Sequence, residues 1–227
     1  MLGMLVQGTR FQLLVAVWIV PLVLLSSNAM AQDGDGANDR IFFSKSFPKS
    51  VPAYFEVELA RSGKALYREA PSEENPVEFQ VEADETAGIF ESAEKLERFR
   101  IELNLNRKVA FTGDKVFRFL PAAGERSEVK FVYTENPEAL KLLEWFEKAG
   151  ETERHLIELE RVAQFDHLGV NKRLLQFQIS LEKDRIVAPA QFLPILEKIA
   201  GQKSIVQLAR SRAAGLAERI GRVSGGS

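Results

Sequence analysis

The chain has 227 residues, 45% of them apolar and 27% charged, with 30 bases against 32 acids, two histidines and no cysteine. Those proportions are ordinary for a globular protein, and the charge balance offers no cationic excess for a nucleic acid. The missing cysteines exclude disulfides, thiolate metal sites and a lipid-modified cysteine.

Residues 1–31 have the three parts of a secretory signal peptide. Arg10 supplies the positive end, an apolar run follows from Phe11 to Leu25, and Ala29-Met30-Ala31 places small side chains where a signal peptidase cuts. A bilayer-spanning helix needs about 20 apolar residues, and this run is shorter and broken by Gln12 and Pro21. Cleavage is therefore expected between Ala31 and Gln32. The product would be exported, periplasmic or secreted, with no transmembrane span in the mature chain. Arg10 is the one charged side chain that leaves, so 29 bases face 32 acids in what remains.

Residues 32–52 are expected to be a flexible mature N-terminus and an extended lead-in. "QDGDGANDR" is polar and rich in Gly and Asp, and Pro48 and Pro52 oppose a helix. Phe42, Phe43 and Phe47 stand out there, and covering one end of a core explains them better than an exposed partner patch.

Residues 53–149 read as an α+β sheet domain. Tyr54–Leu59 and Ala65–Arg68 flank a turn at Gly63, and Val77, Phe79 and Val81 alternate with Glu78, Gln80 and Glu82. A helix follows, capped by Asp84 or Thr86, with Ile89, Ala93, Leu96 and Leu103 on one side. The plan then recurs. "KVAFTGDKVFRFL" reads as two strands around a turn, "EVKFVYT" as a third, and Asn136-Pro137 as a cap and first residue of a helix. Two β-β-β-α units, 54–104 and 108–149, would join into one antiparallel sheet with long helices on one face.

Residues 150–221 are expected to be a helical segment packed on or beside that sheet, with a disordered tail at 222–227. The second helix is expected to run on to about Leu168 with a dent at Gly150. "NKRLLQFQISLEKDR" alternates like a strand at Leu175, Phe177, Ile179 and Leu181, but its composition favours helix. Pro189 opens another helix. Ser204 with Gln207 suggests a capping box for a last one, striped by Ile205, Ala209, Ala213, Leu216 and Ile220 and stopped by Gly221. Residues 73–102 hold ten acids against three bases, and residues 201–227 five bases against one acid. Two solvated helix faces explain this better than docking between the segments.

Motifs for chemistry are scarce. His155 and His167 are twelve apart, about 120° around a helix, so they do not share a face as metal ligands do. Structural roles are expected for both. "DGDGAND" fails as a calcium loop, with Ala37 and Asn38 where Asp/Asn and Gly belong. Ser46 and Lys49 match S-x-x-K, but Pro48 and Pro52 oppose the helix that motif opens and its partner motifs are missing. Accordingly no catalytic, cofactor-binding or metal-ligating residue is predicted, and no cofactor. The expected function is an exported, non-catalytic binding or interaction protein of unknown partner, a protein being one candidate, with no nucleic acid. One alternative is an exported hydrolase using carboxylates. Another is a peripheral envelope protein held by its basic C-terminal helix through Arg210, Arg212, Arg219 and Arg222.

Overall fold

The computed structural model describes residues 39–105 and 110–224; the expected signal peptide and the Ala31–Gln32 cleavage site lie outside the described residues. Six strands form one antiparallel sheet: β1 (Arg40–Ser46), β2 (Tyr54–Ala60), β3 (Lys64–Arg68), β4 (Val77–Gln80), β5 (Asp114–Leu120) and β6 (Ser127–Phe131), in the order β4-β3-β2-β1-β5-β6. Among the described residues five α-helices accompany them: α1 (Ala83–Lys95), α2 (Pro137–Phe165), α3 (Val170–Glu182), α4 (Leu193–Gly201) and α5 (Gln207–Ser224). The fold is α+β, with a C-terminal run of helices.

The expected flexible lead-in at 32–52 contains the central strand. Phe43 of β1 lies opposite Val57 on one side and Phe117 on the other. The two three-stranded halves are therefore β2-β3-β4 and β1-β5-β6, and β1 takes the place that the sequence repeat assigned to residues 108–111. Residues 106–109 lie outside the described part, and 110–112 form no strand. The reason is in the side chains: Ile41 and Phe43 are fully buried on one face, whereas Phe42 on the other lies beneath the Arg118 guanidinium, 4.5 Å from its ring centre.

One sheet face is dry. Ile41, Phe43, Val57, Leu59, Phe117 and Phe119 meet Ile89, Phe90 and Ala93 of α1 and Leu142, Phe146 and Ala149 of α2 in a single core. The opposite face carries cross-strand ion pairs, Arg40–Glu58, Arg68–Glu56 and Arg118–Glu128, as the alternation of a half-buried sheet requires. Gly63 turns β2 into β3 with φ +83°, and a Cβ there would sit 2.4 Å from the Val81 carbonyl oxygen. Only glycine fits that position.

Asn136 caps α2 as expected, accepting from the backbone N–H groups of Glu138 and Ala139 at 3.0 and 3.2 Å, with Pro137 first in the helix. On α1, by contrast, neither Asp84 nor Thr86 is the cap: Glu82 holds that position without a side-chain bond. The 29 residues of α2 span roughly 43 Å. Its first half lies on the sheet; its second half, with Leu159, Val162 and Ala163, joins a second core formed by α3, α4 and α5.

The ambiguous segment is helix α3, because helical spacing buries Leu174 and Phe177 together, whereas a strand would have split them. Phe177 stacks on Phe192 with ring centres 4.2 Å apart. The expected stripe of α5 is buried throughout, but the helix starts at Gln207 and passes Gly221 to Ser224. The Ser204 hydroxyl accepts from Gln202 instead of closing a capping box. Among the described residues no hydrogen bond or ion pair joins the acidic segment 73–102 to the basic segment 201–224. Arg212 reaches Asn171, Arg219 reaches Glu182 and Arg222 reaches Glu218.

Candidate functional site: a charged cleft beside the sheet

Where α2 leaves the sheet, a cleft of about 580 Å3 opens between the strand ends and the helical layer. Its position follows from local sequence. Gly150 lets α2 pass the ring of Phe55, which a Cβ would meet at 2.7 Å. On either side of that contact Glu147, Glu151, Arg154 with its neighbour His155, and Glu158 recur at helical spacing of three or four and line one wall. Arg173, Gln176 and Ser180 of α3 recur in the same way on the other. Phe55 and Tyr67, with ring centres 6.2 Å apart, form the apolar floor with Pro52, and the exposed Val51 and Ile179 add apolar surface to the lining.

The charged groups pair off almost completely. Lys45 binds Glu147 at 2.6 Å, and Arg173 binds Glu158 at 3.2 Å. Arg185 clamps Oε2 of Glu151 with two nitrogens, at 2.7 and 2.5 Å. Burial works against the charge on Glu151, but Arg185 and Ser180 outweigh it and hold the carboxyl below its ordinary range. At Glu158 the bond from Arg161 leads in the same downward direction. Three acids thus meet three bases. Arg154 remains: it is half-buried, and among the described residues it has neither an ion pair nor a hydrogen bond. Its charge acts on Tyr67, His155 and Glu158 from within the cleft.

Ser180, His155 and Glu151 also meet here. Ser180 Oγ lies 3.0 Å from His155 Nε2 and donates to Glu151 Oε1 at 3.1 Å. A nucleophilic triad needs the acid on the far ring nitrogen, so that Nε2 is free to take the serine proton. In this cluster the serine hydroxyl is directed at the carboxylate, which leaves the serine oxygen to accept from His155. Burial lowers the imidazole pKa, with the Glu151 charge opposing.

The most perturbed acid faces elsewhere. Glu153 is two residues from Glu151, about 200° around the helix, and is fully buried outside the cleft. Burial raises its pKa to about 7.

Of the residues singled out from sequence, His155 enters the cleft while His167 lies apart, 3.0 Å from Gln202. Ser46 ends β1 and Lys49 lies in the loop after it, so they form no helix-borne pair. Among the described residues no three of His, Asp and Glu converge to hold a metal ion. The polar wall of α2 was missed. Its signal was a second stripe, of charged residues, running beside the apolar stripe that marked the helix. No family model and no curated protein matches the sequence.

Proposed function

We propose that this protein is an exported, non-catalytic binding protein whose cleft takes a small organic molecule with one anionic group and an apolar body. The unpaired Arg154 carries the reading. A half-buried cation that makes no ion pair or hydrogen bond among the described residues, in a cleft whose other charges are paired, favours a ligand of one negative charge. The floor of Phe55, Tyr67 and Pro52 suits an apolar body, and the size is that of small-molecule sites.

Binding fits these groups better than hydrolysis does. A carboxylate hydrolase uses one acid held protonated and one ionised across the same substrate. The cleft acids Glu151 and Glu158 are both held ionised, and the acid that is easily protonated, Glu153, points away.

Titration calorimetry of the chain from Gln32 tests the proposal, with decanoate and phenylpropanoate as probes. The expected result is binding of at least one probe, weakened about tenfold or more by Arg154→Gln. Absence of binding by both probes, or equal affinity in the variant, would overturn it.

A further inference from the structure

Four large apolar side chains are left in solvent at the end of the helical layer farthest along α2 from the sheet. Leu168 is 83% exposed, Phe165 76%, Leu208 61% and Val206 45%. They lie in or directly beside two turns, α2–α3 and α4–α5, that are joined to each other by hydrogen bonds. Gln202 donates to the carbonyl of Ala163 at 3.4 Å and lies 3.0 Å from His167, and Arg212 donates to Asn171 at 3.0 Å. None of the four is needed by the core beneath, which Val162, Ala163, Val170, Ile205 and Ala209 fill. Soluble domains seldom leave four such side chains together without use.

The surrounding charge says what covers them. Over residues 160–172 and 201–212 the chain carries five bases (Arg161, Lys172, Lys203, Arg210 and Arg212) against two acids, Glu160 and Asp166, and of the five Arg161 is paired with Glu158. Lys172 and Lys203 are exposed and have no ion pair among the described residues. Asp166 is partly used, accepting from the N–H of Gly169 at 3.0 Å. An apolar tip inside a cationic rim matches a bilayer surface with anionic headgroups, where apolar side chains enter the acyl boundary and the bases meet the phosphates. A second copy of this chain would bring like charges together around the same apolar centre, which opposes self-pairing.

We propose that these two turns form a docking tip for an anionic lipid surface. The tip is independent of the cleft. It also differs from attachment along the C-terminal helix, because Arg219 and Arg222 lie toward the other end of α5 and are paired with Glu182 and Glu218.

The test is co-sedimentation of the chain from Gln32, which retains both cores, with vesicles of phosphatidylcholine alone or mixed with phosphatidylglycerol. The chain is expected to sediment with the anionic vesicles only, and less as salt rises. Phe165→Ser combined with Leu168→Ser is expected to lower the bound fraction about tenfold. Lys172→Glu combined with Lys203→Glu is expected to act similarly and to remove most of the salt dependence. Circular dichroism checks that the variants stay folded, which the exposure of all four positions favours. Absence of binding to anionic vesicles, or binding unchanged by the apolar pair, would overturn the proposal. So would a concentration-dependent dimer that Phe165→Ser with Leu168→Ser abolishes, which would assign the tip to self-association.

Discussion

Gln191 donates its side-chain nitrogen to Oε1 of Glu153 at 3.0 Å, and the two remaining oxygens, Oε2 of Glu153 and Oε1 of Gln191, are both buried without a partner among the described residues. A proton on the carboxyl supplies the one donor these acceptors lack. It would close a reciprocal acid–amide pair between α2 and the short turn, residues 189–192, that precedes α4.

That pair makes stability depend on pH. The folded pKa of Glu153 is about 7, above the ordinary 4.5. The folded state therefore binds the proton more tightly than the unfolded state. Its contribution is complete below about 4.5 and is lost as pH rises toward 7. The loss is about 3 kcal/mol, an order-of-magnitude figure. Paired acids such as Glu151 act in the opposite sense at lower pH, so the comparison is with Glu153→Gln, which keeps the site neutral. Urea midpoints should show the wild type losing ground to that variant between about pH 5 and pH 8. A constant difference would mean that Glu153 is not protonated in the folded protein.

Phe43 sits where both halves of the sheet meet, 5.2 Å from the ring centres of Phe117 and Phe146. Phe43→Ala should cost about 3–5 kcal/mol. The same substitution at Phe47, outside the strands, should cost far less. Denaturant titration of the two variants measures the difference, and similar costs would contradict the central place of β1.

Arg185→Gln leaves Glu151 part-buried without its two-nitrogen clamp. The expected cost is about 1 kcal/mol, since both partners retain some solvent. The Glu151 carboxyl should also titrate at higher pH, which carbon-detected NMR reads directly.

Gly150→Ala ought to gain about 1 kcal/mol from helix propensity alone. The contact with Phe55 reverses that sign, because a Cβ at 2.7 Å displaces the ring toward the cleft. Net destabilisation is expected, and Phe55→Leu in the same chain should restore it. A stabilised single variant would show that the ring moves freely.

Periodicity exposed most of the individual elements. The alternation of Val77, Phe79 and Val81 marked β4, and the three-and-four spacing from Leu142 to Ala163 marked α2 across its glycine. Asn136-Pro137 fixed where that helix begins. The strand β1 escaped because Phe42 breaks its alternation, and Phe42 is apolar because Arg118, 76 residues later, covers it. The cleft escaped for a related reason: its walls come from residues 45–67, 147–158 and 173–185, and nothing local joins them.

By itself, then, the sequence determined the α+β class, the absence of disulfides and the faces on which each helix and strand is apolar. These follow from backbone geometry acting over a few residues, with periods of two and 3.6. Tertiary structure alone decided that an N-terminal strand completes the second half of the sheet, that Arg154 is left without an ion pair among the described residues and Glu153 is fully buried, and that Phe165, Leu168, Val206 and Leu208 stay exposed beside two adjacent turns. Each depends on distances between segments far apart in the chain, and burial and charge pairing are set only when those segments meet.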